Sequence, residues 1–74
     1  MIYDYSKLNG KIIEVFGTRR KFAEKMNRSE RTISLKLNNK IPWTQSEMQK
    51  AMEILNFQIE EIQVYFFTAK VQKN

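Results

Sequence analysis

The chain has 74 residues, 42% of them hydrophobic and nine of them aromatic, and a formal net charge of +5. A chain this short makes one domain, residues 1–74, and buries only about 60% of the surface that its unfolded form exposes. Cysteine and histidine are both absent, which excludes disulfides, thiol chemistry, zinc sites with Cys or His ligands and histidine general bases.

The segment from Met1 to Phe16 is charged and amphipathic and does not read as a signal peptide. The longest apolar run is too short to span a bilayer, so an intracellular protein with no membrane partner is expected. Charge is unevenly placed. Residues 17–40 carry eight basic side chains (Arg19, Arg20, Lys21, Lys25, Arg28, Arg31, Lys36 and Lys40) against Glu24 and Glu30, whereas residues 41–62 carry Lys50 against Glu47, Glu53, Glu60 and Glu61. Positive charge gathered on the middle third points to a localised site for an anionic partner.

Apolar spacing is helical almost throughout. Tyr5, Leu8, Ile12, Val15 and Phe16 form the stripe of a first helix that Gly17 stops. Phe22, Ala23 and Met26 form a second stripe behind Thr18, a good N-cap, and Ser29 caps a third helix whose inward residues are Ile33 and Leu37. Thr44-Gln45-Ser46-Glu47 reads as a capping box, with Trp43 and Met48 placed as a hydrophobic staple. That fourth helix turns Met48, Ala51, Met52 and Leu55 inward, and Asn56 suits a left-handed C-terminal position. Glu60 and Glu61 suit the first turn of a fifth helix carrying Ile59, Ile62 and Phe66. Residues 64–71 read either as the end of that helix or as an extended tail. The spacing predicts an all-α, single five-helix domain. Gly10, inside the first helix, is unexplained at about 1 kcal/mol relative to alanine.

Residues 18–38 concentrate the functional signal. Two short helices meet there across a three-residue turn, with small Ala23 at the crossing, Asn27 in the turn and Ile33 locking the pair. Arg19, Arg20 and Lys21 sit in the first turn of the second helix, where each positive charge opposes the helix dipole by about 0.3–1 kcal/mol. A bound phosphate would account for that placement better than folding does.

This span, together with Tyr3-Asp4-Tyr5-Ser6-Lys7-Leu8, Ser29-Glu30-Arg31-Thr32-Ile33-Ser34-Leu35-Lys36-Leu37-Asn38 and Tyr65-Phe66-Phe67-Thr68, resembles the helix-turn-helix of phage Cro and C1-type repressors. The resemblance is stronger to the short Cro-like prophage regulators of Gram-positive bacteria. It implies a lambda-repressor-like DNA-binding fold and a repressor in the bacterial cytoplasm, associated with the nucleoid. Departures are Asn27, Asn39 and Asn56 where glycine is frequent, all tolerable in a left-handed conformation. Arg28 replaces an apolar residue and is expected to reach a phosphate instead.

Docked in a major groove, the helix from Ser29 would present Glu30, Arg31, Ser34 and Leu35 to base edges. Thr18, Arg19, Arg20, Arg28, Lys36, Asn38 and Lys40 would meet phosphates. One helix reads few bases, so a homodimer on two half-sites of double-stranded DNA is expected, with Tyr65, Phe67 and Val71 toward the partner. No catalytic pair, metal site, cofactor or small-molecule ligand is expected. The competing reading is a protein-binding module or antirepressor that applies the basic face to an acidic partner.

Overall fold

The computed structural model describes residues 2–71. Among them lie five α-helices: α1 (Ser6–Phe16), α2 (Arg19–Met26), α3 (Glu30–Leu37), α4 (Gln45–Leu55) and α5 (Ile62–Phe66). A one-turn 3-10 helix, Ile59–Glu61, leads into α5. The described residues contain no regular strand, only a single antiparallel bridge between Tyr3 and Ala69. The all-α five-helix domain is what the chain forms.

Local chemistry sets the helix limits. The Thr18 hydroxyl accepts from the Lys21 N–H at the start of α2, and the Ser29 hydroxyl accepts from the Thr32 N–H at the start of α3. At α4 the Thr44 hydroxyl accepts from the Glu47 N–H while the Glu47 carboxylate accepts from the Thr44 N–H, closing the capping box. Helix ends use the left-handed region: Gly17 closes α1 at φ 82°, Asn27 closes α2 at 59° and Asn56 closes α4 at 57°. Asparagine tolerates that region better than most side chains. Helices α2 and α3 are joined by Asn27, Arg28 and Ser29 alone.

Leu8, Ile12, Phe22, Ala23, Met26, Ile33, Leu37, Trp43, Ala51, Leu55, Phe57 and Phe66 form one core. Three expectations shift. Val15 lies at the edge of the α1 stripe and is exposed, because Phe16 makes the contact with Phe22, ring centroids 5.8 Å apart. Met48 and Met52 are only half-buried at the core's edge. Ile59 is 58% exposed: 3-10 winding, about three residues per turn, keeps it in line with Ile62 beside α4, where both border a groove instead of entering the core.

The tail is extended. Asp4 donates its N–H to the Thr68 carbonyl at 2.8 Å and Lys70 to the Ile2 carbonyl at 3.0 Å. Asn39, itself left-handed at φ 62°, holds the same segment from the other side. Its side chain accepts from the Tyr3 N–H at 3.0 Å and donates to the Tyr3 carbonyl at 2.8 Å.

Gly10 is exposed, and a Cβ built on it would meet nothing within 4 Å. The fold therefore does not require glycine there. Gly10→Ala is expected to raise stability by about 0.5–1 kcal/mol through the lower entropy of the unfolded chain. The check is a higher urea midpoint at unchanged slope.

Candidate functional site

The α2–α3 pair carries the basic segment, and the structure divides its charges into engaged and free. Arg19 donates from Nε to the Asn9 side-chain oxygen at 2.8 Å, tying α2 to α1. Arg20 lies 3.6 Å from Glu24 one turn on. These contacts give the basic first turn of α2 intramolecular partners, so folding does explain part of its placement. Thr18 is committed to its cap. Arg28 does not reach outward for an anion: its Nε donates to Glu47 Oε2 at 3.0 Å, and its Nη1 donates to the Asn27 carbonyl.

Lys36 departs furthest from the sequence-based expectation. Its side chain is 7% exposed, and its Nζ donates to the Pro42 carbonyl and to Glu47 Oε1, each at 2.8 Å. The ammonium also sits 5.7 Å from the centre of the Trp43 ring, within reach of a cation–π attraction. It cannot serve a phosphate without leaving the core. Exposed basic side chains remain at Lys21, Lys25, Arg31 and Lys40, and Asn38 is also exposed. Glu30 and Arg31 point to solvent, whereas Ser34 and Leu35 are half-buried.

Glu47 is thus the node that joins α3, the 42–44 loop and α4. Burial raises the pKa of its carboxyl, but hydrogen bonds from Lys36, the Thr44 N–H and Arg28, with the nearby Lys36 charge, outweigh that and hold it at about 2, against 4.5 ordinarily. A carboxyl depressed in the folded state stabilises the fold fully above its unfolded pKa and loses that contribution as pH falls through the folded value. Acid titration is therefore expected to remove about 3 kcal/mol between about pH 5 and 2. Urea unfolding across that range checks it.

Of the residues expected at a dimer contact, Tyr65 stacks on Phe57 at 4.3 Å between ring centroids and Phe67 meets Tyr3 edge-on at 5.7 Å. Val71 is 84% exposed. Two surface hollows were not anticipated from sequence. One, about 240 Å³, is lined by Tyr3, Tyr5, Pro42, Trp43, Phe66 and Phe67. Trp43 Nε1 is buried without a hydrogen-bond partner among the described residues. The other is a groove of about 640 Å³ between α4 and residues 59–67. Its only sequence signal is the apolar pair Ile59 and Phe67 beyond what the core holds.

Among the described residues no group of acidic side chains is placed to hold a metal ion, and no helix is long and apolar enough to cross a membrane.

No curated protein matches the chain. Among solved structures, the chain is similar to the modulator of repression of the temperate bacteriophage TP901-1 from Lactococcus lactis, solved in solution. The two share 51% identity over 97% of each chain, with a TM-score of 0.79. This likeness overturns the expectation of a Cro- or C1-type DNA-binding repressor, since a relative matching over nearly the whole length is a modulator of repression. The DNA roles assigned to Glu30, Arg31, Ser34 and Leu35, and to Thr18, Arg19, Arg20, Arg28, Lys36, Asn38 and Lys40, rested on that expectation. Glu47 shows physically why the segment's charge overstates its grip on an anion: it pairs with two of those cations, Lys36 inside the protein and Arg28 at its surface. A helix pair with a short turn is a scaffold, and what it contacts depends on the side chains left free. Residues 1–69 match the family model described as "Protein of unknown function (DUF739)", and it is to this family that the chain belongs.

Proposed function

We propose that the protein modulates repression by binding a repressor protein, acting as an antirepressor-type module. The observation that carries this reading is the 51% identity, over 97% of both chains, to a phage modulator of repression. The side chains support it. Arg28 and Lys36 are held by Glu47, and large apolar side chains, Ile59 and Phe67 among them, stand at the surface. Apolar exposure of that kind marks protein contacts more than phosphate contacts.

The test mixes the protein with the repressor of phage TP901-1 on labelled operator DNA. A repressor–modulator complex in sedimentation, with a change in operator occupancy, is the expected result. The protein alone should show little affinity for the operator. Tight binding of the operator by the protein alone, weakening with salt at a slope of about −0.9 per phosphate contact, with no complex formed, would overturn the reading.

A further inference from the structure

We propose that the groove between α4 and residues 59–67 receives a helical segment of the partner, apolar along one face and carrying Lys or Arg along its edges. The proposal rests on the protein-binding reading and names the surface that serves it.

The groove is lined by Met48, Gln49, Met52, Ile59, Ile62 and Phe67, with Gln45 at one end. Its apolar walls are only partly used by folding: Met48, Met52 and Ile62 pack against the core yet stay half-buried, while Ile59 is 58% and Phe67 44% exposed. Methionines are unbranched and polarisable and adapt to an incoming side chain. The 11 residues of α4 run about 16 Å at 1.5 Å per residue, enough to lie along about three turns of another helix. Side chains, not free backbone groups, border the groove, which suits a helix laid in by its apolar face rather than an added strand.

Charge selects the occupant. No basic residue lines the groove. Lys50, the one basic residue on α4, lines a separate hollow with Arg28 and Glu47. Glu53 on α4 and Glu60 beside Ile59 are exposed and take part in no ion pair among the described residues. Each follows a groove-lining residue in the chain, Met52 and Ile59, and an apolar trough with acidic neighbours and no basic lining residue complements a helix with cationic edges and repels one with acidic edges. A second copy does not fit. The apolar stripes of α1, α2 and α3 are largely buried in the chain's own core, and two copies set groove to groove would bring the exposed Glu53 and Glu60 of one against those of the other.

The experiment measures repressor binding by four forms of the full chain: wild type, Ile59→Lys, the pair Glu53→Lys/Glu60→Lys, and Ile13→Lys. Ile13 is an exposed apolar residue on α1, away from the groove, and serves as the control. Ile59→Lys is expected to weaken the complex by about tenfold or more, as loss of an apolar anchor does. The charge-reversed pair should slow association and flatten its salt dependence. Ile13→Lys should bind as wild type, and thermal melting should be unchanged in all four. If both groove variants bind as wild type, or Ile13→Lys weakens binding equally, the groove assignment is wrong while the functional reading stands. Self-association of the wild type that Ile59→Lys abolishes would likewise overturn it, by showing a second copy in the groove. If the wild type binds no repressor, the functional reading fails. The groove is then judged with a synthetic amphipathic Leu/Lys helix of about five turns and its Leu/Glu counterpart. Amide shifts at Gln49, Met52, Ile59, Ile62 and Phe67 with the Lys peptide alone would sustain it. No shifts, or equal shifts with both peptides, would overturn it.

Discussion

Glu47→Gln is expected to cost about 3–5 kcal/mol, the usual penalty for removing one partner of a buried ion pair. Glutamine keeps an oxygen for the Thr44 N–H, so the helix cap survives in part. The same oxygen accepts from Lys36 Nζ, but without its charge it cannot neutralise that ammonium, which is 7% exposed. Arg28 is 44% exposed and can turn its guanidinium to water, so the loss falls chiefly on Lys36. A domain of this size has a total stability on the order of 4–11 kcal/mol, so the variant should lose a large share of it. Urea titration reads the shift, and the acid dependence assigned to Glu47 should flatten with it. The double variant Lys36→Met/Glu47→Gln separates charge from packing. Removing the uncompensated ammonium should restore much of the loss, and a double variant as unstable as Glu47→Gln would show that the loss does not come from the Lys36 charge.

Phe66→Ala is expected to cost about 3–5 kcal/mol, the range for truncating a fully buried aromatic. Phe66 is 1% exposed and meets Trp43 edge-on at 5.3 Å and Phe57 at 6.3 Å. Helix α5 has only five residues, too few to hold a helical form alone, so it depends on docking, to which this ring contributes the most buried side chain beside Ile62 and Tyr65. The pairing of residues 2–4 with 68–70 should loosen as well. The distinguishing measurement is amide exchange. The Asp4 and Lys70 N–H groups, bonded to Thr68 and Ile2, should lose protection in Phe66→Ala before the helices of the α2–α3 pair do. Uniform loss across the chain would show that α5 and the tail unfold only with the whole domain.

The parts of the fold legible in sequence are those whose chemistry is local. Thr18, Ser29 and the Thr44–Glu47 box act within three residues of their own positions, and each starts its helix as read. The left-handed Asn27 and Asn56 follow from the end of a stripe beside a tolerant residue. What escaped the reading is long-range. Glu47 reads as a capping residue, and nothing near it announces that the same carboxylate also holds Lys36, 11 positions back, and Arg28, 19 positions back. Counting charge by segment therefore treats as free two cations that the fold pairs with Glu47, one of which, Lys36, it also buries. Asn39 looked like a turn residue, while its side chain clamps Tyr3 across 36 positions. The groove was hidden for a similar reason. Ile59 reads as the first inward position of a helix, and only the 3-10 winding and the position of α4 leave it at the surface. Function was misread through the scaffold. The helix pair was correctly placed, but a pair of that shape does not declare whether its neighbour is a nucleic acid or a protein.

The pairing of Tyr3 with Ala69 brings the two extremities of the described fold side by side. Circular permutation is tolerated where such ends lie close together and the new break falls in an exposed turn. Bridging the extremities with a short flexible linker and reopening the chain at Gly17, which is exposed between α1 and α2, would keep every helix whole. It would also carry any attached reporter away from Tyr3 and Phe67, to a turn that borders none of the hollows described above. The same adjacency means that groups attached beside Tyr3 and beside Ala69 crowd a single side. Tyr3 meets Phe67, one wall of the groove, so binding assays on this protein are best immobilised through the permuted opening.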